Sequence, residues 1–169
     1  FACNNCETDR MIVNSVVDER ALREIYLFGF EKAIRNVQPY TVMAAYNKVN
    51  GFYATENYHL LTEILRDEWG FEGLVMSDWT AVNDINAAVK AGMDLEMPES
   101  GGVYYQESLK GIKNDPEVKK AYQIAIERQL KLIDKSIDLT PDFVFDYASH
   151  HALAKKIADE SIVLLKNEN

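Results

Sequence analysis

The chain has 169 residues, of which 47% are hydrophobic and 27% are charged, as in an ordinary soluble globular protein long enough to bury a core. Its formal net charge of -9 argues against binding to nucleic acid or to an anionic membrane surface, because both depend on clustered Lys and Arg. No segment approaches the roughly 20 apolar residues that a membrane-spanning helix needs.

The first residues, Phe-Ala-Cys-Asn-Asn-Cys, show neither an initiator methionine nor the pattern of a signal peptide. We therefore expect a piece of a longer polypeptide, of unknown compartment. Cys3 and Cys6 have the spacing of a redox pair or of half a zinc site. The three histidines lie far away, and polar residues 7–10 follow in place of a long helix. We expect small hydrophobic side chains here and no metal or other cofactor.

The first half of the chain alternates between helix and strand patterns. Apolar residues at spacings of three and four predict a helix that begins after Asp18 and is stopped by Pro39. Residues 41–46 are predicted to form a short buried strand, which ends in the turn-rich segment 47–51. A second helix is predicted over residues 58–69, with Gly70 as its stop.

A short apolar run at residues 74–76 predicts a strand of a parallel sheet, and Ser77, Asp78 and Trp79 follow at its end. In parallel barrels the chemistry lies at the carboxyl ends of the strands. Asp78 is therefore predicted to project at the mouth of a pocket, with Trp79 beside it as an apolar wall. The alternative is that Ser77 or Asp78 caps a helix that begins near Thr80. The spacing leaves both interpretations open.

The second half continues the alternation. A helix through residues 87–91 ends at Gly92, a short strand follows at 93–98, and a short helix at 105–112. Asp115 and Pro116 open a long helix that runs to about residue 135. Residues 139–142 indicate a linker, followed by a helix at 150–160 and an apolar strand at 161–165. The pattern predicts a truncated α/β protein, because three strands before residue 100 are too few to close a barrel.

Five segments carry a resemblance to a known family: FACNNCETDR (1–10), VMAAYNKVNG (42–51), GFEGLVMSDW (70–79), AGMDLEMP (91–98) and SIVLLKNE (161–168). In this order they resemble the signatures of glycoside hydrolase family 3, over essentially the whole chain. The resemblance implies the C-terminal part of a TIM-like (β/α) barrel at 1–138 and a linker at 139–147. Residues 148–169 would then be the first helix and strand of an α/β sandwich domain.

The resemblance also implies a retaining, exo-acting β-glycoside hydrolase of the β-glucosidase type, which releases a terminal β-D-glucosyl residue through a covalent glycosyl-Asp intermediate. Asp78 matches the catalytic nucleophile, and Tyr46 matches a tyrosine that orients it. Arg10 matches an arginine that binds sugar hydroxyls, although a surface salt bridge with a nearby acid is the alternative. Trp79 and Met43 are predicted to line the substrate pocket.

Asp94 and Glu96 are interpreted as structural residues that brace the loop after their strand. The expected partner is a β-linked oligosaccharide or glycoside. The acid/base of this family lies outside this chain, so the rest of the polypeptide is required for a complete site and the chain alone should be poorly active. A β-xylosidase or a glycoside phosphorylase of the same fold, or a non-catalytic sugar-binding module, are the alternatives.

Overall fold

The computed structural model describes residues 1–137 and 144–168. The chain divides into two compact units, Phe1–Ile137 and the segment from Asp138 onward. Most of the predicted linker at 139–147 lies outside the described residues, so the domain assignment stays a prediction. Among the described residues, no helix is long and apolar enough to cross a membrane.

Five short strands form the sheets of the first unit: β1 (Asn14–Ser15), β2 (Thr41–Ala44), β3 (Lys48–Val49), β4 (Phe52–Tyr53) and β5 (Leu74–Ser77). β2 and β5 are parallel, with Ala44 opposite Ser77 at their carboxyl ends. β1 lies parallel to β3, which pairs with β4 in the antiparallel sense. The residues that follow β2 and β5 therefore emerge at the same edge of the sheet.

The helices confirm the predicted alternation. They are Glu19–Ala21, Leu22–Tyr26, Phe28–Val37, Ala54–Glu56, His59–Glu68, Ile85–Ala91, Val103–Asn114, Pro116–Ile137 and Tyr147–Ser161. Asp18 is the predicted N-cap and accepts a hydrogen bond from Ala21 N–H. The first predicted helix is divided into segments because Leu27 N–H bonds to Leu22 O, five residues back. Gly70, with a φ of +71°, follows the His59–Glu68 helix as predicted.

One face of the β2–β5 pair forms the core of the first unit. Ala44 and Val75 are fully buried in a cluster that includes Leu60, Leu61 and Ile64 of the neighbouring helix. Burial of this apolar surface stabilises the sheet against the helix layer. The other face carries Met43 opposite Met76. Because side chains alternate along a strand, Asp78 follows Met76 onto this more open face.

Two predicted strands differ from the structure. Residues 93–98 make only one isolated parallel bridge, between Leu95 and Met76. The reason is that Val75 N–H donates to the Asp94 side chain (2.8 Å) in place of a main-chain oxygen.

The strand predicted at residues 161–165 is not formed. The Tyr147–Ser161 helix continues to Ser161, and the four residues after it are exposed. Within residues 144–168 no second strand is present to receive their main-chain hydrogen bonds, and a lone strand is not stable in water. The α/β class is thus confirmed, but the strand proposed to open the second domain is wrong for these residues.

Candidate active site

Asp78 directly follows β5, at the carboxyl end of the parallel pair. Its N–H donates to Ala44 O (2.9 Å), and its Oδ1 accepts from Trp79 N–H (2.6 Å). No helix begins at Thr80, and the next helix along the chain is capped by Asp84. The alternative in which Ser77 or Asp78 caps a helix near Thr80 is therefore wrong. The Asp78 carboxylate lies at the end of a strand, as predicted.

The end of β5 is fixed on its other side as well. Ser77 is buried, its N–H donates to Leu95 O (2.9 Å), and its Oγ accepts from Met97 N–H (2.8 Å). Thr80 N–H donates to Met97 O (3.0 Å). The backbone of Asp78 is thus held between β2 and the segment at 95–97, which gives its carboxylate a rigid support.

Tyr46, which emerges just beyond β2, lies beside the Asp78 carboxylate. The residue is 9% exposed. Burial raises the pKa of the Tyr46 phenol, and Asp78 raises it further, both as a hydrogen-bond partner and as a negative charge. A phenol with a raised pKa keeps its proton at neutral pH. Tyr46 is therefore a hydrogen-bond donor at this site.

Arg10 lies over Tyr46. Its guanidinium carbon is 5.1 Å from the centroid of the Tyr46 ring, a distance at which a cation is attracted to an aromatic face. The same guanidinium donates to Glu7 Oε2 (3.0 Å), so the surface salt bridge considered as the alternative is also present. Arg10, Tyr46 and Asp78 thus form one contiguous group, with Glu7 on its outer side.

Two exposed apolar side chains belong to this part of the chain. Met43 of β2 is 48% exposed, and Trp79 is 63% exposed. Asp78 lies next to Trp79 in the chain, and Met43 is opposite the strand residue two positions before Asp78. Exposed apolar surface beside a fixed polar group is the composition of a small-molecule binding site.

Asp94 has the structural role predicted for it, in a buried ionic network. Its side chain is fully buried, and its Oδ2 accepts from Arg66 Nη2 (2.6 Å) and Val75 N–H (2.8 Å). Its Oδ1 accepts from Arg128 Nη1 (2.9 Å). Burial lowers the pKa of Arg66 to about 10, and the charge of Asp94 opposes that shift. The sequence reasoning missed both arginines.

Glu96 lies beside a cavity of about 530 Å³ that Tyr104 and Tyr122 also line. Burial raises the pKa of Glu96, while a hydrogen bond with Ser100 opposes that rise. Another cavity, of about 670 Å³, lies where β2 and β5 begin, at the opposite end of the strands from Asp78. Asp78 lines neither cavity. Its carboxylate therefore belongs to the open face at the carboxyl ends of β2 and β5.

Cys3 and Cys6 are free thiols in different surroundings. Cys3 is buried as expected, and burial raises the pKa of its thiol. Cys6 is exposed, so the expectation of a small buried side chain is wrong for it, because the whole segment 5–12 is exposed. Across residues 1–137 and 144–168, no three His, Cys, Asp or Glu side chains are grouped as a metal site.

Asn47 is a further residue of this region that the sequence reasoning did not select. It follows Tyr46 and is fully buried. Its amide contacts the main chain of Ala2 and Cys3, just before the segment that carries Arg10, and the main chain of Lys48. The only signal in the sequence was its position in the turn-rich segment 47–51. Many asparagines occupy such positions only because they favour turns, so this signal did not single out Asn47.

Comparison with known proteins identifies the family. Residues 5–132 match the model of the glycosyl hydrolase family 3 N terminal domain. Thermostable beta-glucosidase B of Acetivibrio thermocellus is 46% identical, over 100% of this chain and 22% of that protein. An exo-alpha-(1->6)-L-arabinopyranosidase of Bifidobacterium longum is 42% identical, over 100% of this chain and 22% of that protein.

A solved structure shows the same similarity. The crystal structure of the GH3 beta-glucosidase of Bifidobacterium adolescentis matches with a TM-score of 0.79 and 40% identity, over 100% of this chain and 25% of that one. The chain thus spans about a fifth of the length of these curated relatives and a quarter of the solved structure.

Proposed function

This chain belongs to glycosyl hydrolase family 3, and from that premise we propose that the complete protein is a retaining, exo-acting β-glucosidase with Asp78 as its nucleophile. The observation that carries the proposal is the grouping of Arg10, Tyr46 and Asp78 at the carboxyl ends of two parallel strands. These residues come from sequence positions far apart, and a parallel α/β sheet places its functional groups at this end.

In the first proposed step, an Asp78 carboxylate oxygen bonds to the anomeric carbon of the terminal sugar while the glycosidic C–O bond breaks. The leaving oxygen takes a proton from an acid that lies outside this chain. In the second step a water oxygen attacks the anomeric carbon, the same outside residue accepts the water's proton, and the bond to Asp78 breaks. The products are the sugar with its original anomeric configuration and the free alcohol.

Tyr46 supports this chemistry as a positioning residue. Its protonated phenol, beside the Asp78 carboxylate, holds that group in one orientation. The Trp79 N–H donates to Oδ1 of the same carboxylate (2.6 Å). The Tyr46 phenol and the Trp79 N–H are thus both placed to orient the carboxylate. A nucleophile fixed near its attack position lowers the barrier because less motion must be frozen in the transition state.

The sugar is proposed to bind between Arg10 and the apolar side chains. The Arg10 guanidinium has several N–H donors for the hydroxyls of the terminal sugar. The exposed ring of Trp79 offers a flat surface for the apolar C–H face of the ring, and Met43 offers a smaller one. The remaining walls, the acid and any further subsite are proposed to come from the rest of the polypeptide.

One observation favours a second candidate specificity, for an α-L-arabinopyranoside. The Bifidobacterium longum relative, at 42% identity, is named an arabinopyranosidase, whereas the Acetivibrio thermocellus relative, at 46%, is named a beta-glucosidase. Rates on p-nitrophenyl β-D-glucopyranoside and p-nitrophenyl α-L-arabinopyranoside distinguish the two. We expect the higher kcat/KM on the glucoside, and a higher value on the arabinopyranoside would reassign the sugar.

The mechanism is tested by Asp78→Ala in the complete protein. We expect turnover of an aryl β-glucoside to fall by roughly 10⁴-fold or more, because nothing replaces the nucleophile. Azide should restore part of the rate and give a glycosyl azide of inverted configuration. Asp84→Ala is the matched control, since this carboxylate lies on the same connection but caps a helix. Full activity of Asp78→Ala contradicts the proposal.

A further inference from the structure

The side chain of Asn47 gathers distant parts of the main chain next to the proposed site. Its Nδ2 lies 3.2 Å from Ala2 O, 3.3 Å from Cys3 O, 3.1 Å from Lys48 O and 3.4 Å from Ser15 Oγ. Carbonyl oxygens only accept hydrogen bonds, so the amide nitrogen of Asn47 must face them. The residue is fully buried, and Tyr46 precedes it directly.

These partners close the base of the segment that carries Arg10, residues 4–13, here named the Arg10 loop. Cys3 stands just before the loop and Ser15 lies in β1 just after it. Ser15 Oγ donates to Cys3 O (2.9 Å), which ties the two ends to each other. Lys48 N–H donates to Val13 O (2.8 Å). The Asn47 amide thus lies where both ends of the Arg10 loop meet the strand that follows Tyr46.

The tip of the loop is held by weaker contacts. Arg10 touches the Tyr46 ring face at 5.1 Å and pairs with Glu7 at 3.0 Å. The side chains of this ion pair are 47% and 73% exposed, and exposed pairs contribute little to stability. The position of the guanidinium relative to the phenol therefore depends on the base of the loop.

A buried asparagine elsewhere in the chain shows what a purely structural role looks like. Asn57 satisfies both ends of its amide, since Nδ2 donates to Val49 O (3.3 Å) and Oδ1 accepts from Leu60 N–H (3.0 Å). Asn47 Oδ1 is buried and has no hydrogen-bond partner in the described part of the chain. A buried acceptor without a partner is unfavourable, so the donor side of Asn47 must outweigh that loss.

We propose that Asn47 is a positioning residue for substrate binding. Its amide fixes the base of the Arg10 loop against the chain that carries Tyr46, so that the Arg10 guanidinium and the Tyr46 phenol face the same sugar. The inference deepens the proposed function and rests on it, because it takes Arg10 to bind the substrate.

The test is a double-mutant cycle in the complete protein, with kcat and KM measured on p-nitrophenyl β-D-glucopyranoside. Small displacements of a binding group lower rates by up to about 100-fold, so we expect Asn47→Ala to lower kcat/KM roughly 10- to 100-fold. In the Arg10→Ala background the same change should cost less than about threefold, because the group that Asn47 positions is already absent. Asn57→Ala is the matched control and should lower Tm without changing kcat/KM.

Ser15→Ala is a milder perturbation of the hydrogen bonds at the base of the Arg10 loop. It removes the hydroxyl between Cys3 O and the Asn47 amide and leaves the other amide contacts in place. We expect a loss of roughly threefold in kcat/KM, again absent in the Arg10→Ala background. If Asn47→Ala does not fold, the Ser15→Ala cycle decides the question.

Two results would overturn the inference, and they are distinguishable. Asn47→Ala or Ser15→Ala could lower kcat/KM as much in the Arg10→Ala background as in the wild type. That result shows that the contacts at the base of the Arg10 loop act on the whole fold, and it leaves the proposed function intact. An Arg10→Ala variant with wild-type kcat/KM removes the substrate-binding role of Arg10 itself, and with it the premise.

Discussion

Removing the Asp94 carboxylate should destabilise the strand that carries the proposed nucleophile. Asp94 is fully buried, Arg66 is 8% exposed and Arg128 is 24% exposed, so their charges are poorly hydrated. Val75, three residues before Asp78, donates its N–H to the same carboxylate (2.8 Å). Asp94→Ala leaves this N–H without its acceptor and the buried Arg66 guanidinium without its charged partner.

The expected magnitude follows from the charge that remains. Truncating one partner of a buried ion pair costs about 3–5 kcal/mol, because the other partner is left desolvated and unpaired. Burial already lowers the pKa of Arg66 to about 10 even with Asp94 present. A guanidinium is effectively always protonated in proteins, so the variant must bury that charge without its carboxylate partner, with the main-chain oxygens of Gly73 and Gly92 as remaining acceptors.

Hydrogen exchange in the complete protein measures the local loss of stability in β5. Since each 1.4 kcal/mol is a factor of ten, a loss of 3–5 kcal/mol accelerates exchange of the peptide containing β5 by roughly 100- to 4,000-fold. Asp94→Asn keeps an acceptor for Val75 and should give a smaller acceleration. Glu24→Ala, which removes an exposed pair with Arg20, should leave β5 unchanged. A wild-type exchange rate in Asp94→Ala refutes the reasoning.

Three further predictions concern single contacts. Tyr46→Phe removes a donor from the nucleophile and should lower kcat roughly 10- to 100-fold with an unchanged circular dichroism spectrum, whereas wild-type kcat would contradict its positioning role. Gly92→Ala sets a Cβ 2.8 Å from Thr62 Oγ1 at a φ of +111°, so Tm should fall measurably. A hydrogen bond to Glu63 raises the pKa of His59, so the stability it contributes is present below the unfolded value of 6.5 and is lost as pH rises through the higher folded value. The Tm difference between wild type and His59→Gln should therefore shrink from about pH 5 to about pH 8, and a constant difference would contradict this linkage.

The elements with local signals could be predicted from the sequence. The apolar run at residues 74–76, bounded by Gly73 and followed by Asp78, contains all that is needed to identify a buried strand and the group at its end. The capping positions Asp18 and Asp115 were likewise visible, because capping depends on neighbouring residues only. Local chemistry thus predicted the helices and the placement of Asp78.

The contacts that support the site depend on residues far apart in sequence and carried no local signal. Arg66 and Arg128 meet Asp94 across 28 and 34 residues, and neither is unusual in its own helix. The same holds for Asn47, whose partners include Ala2, 45 residues away. The segment at 93–98 was predicted as a strand from its apolar residues, but the Asp94 side chain takes the place of a ladder bond there.

The assignment of Asp78 as nucleophile is tested most directly by trapping the covalent intermediate. The complete protein is incubated with an activated 2-deoxy-2-fluoro-β-glucoside, digested and mapped by mass spectrometry. The good leaving group makes formation of the glycosyl ester fast, and the fluorine slows its hydrolysis. The account predicts a fluoroglucosyl adduct on Asp78 and on no other residue, with none in Asp78→Ala. An adduct on another carboxylate, or inactivation without any adduct on Asp78, would contradict it.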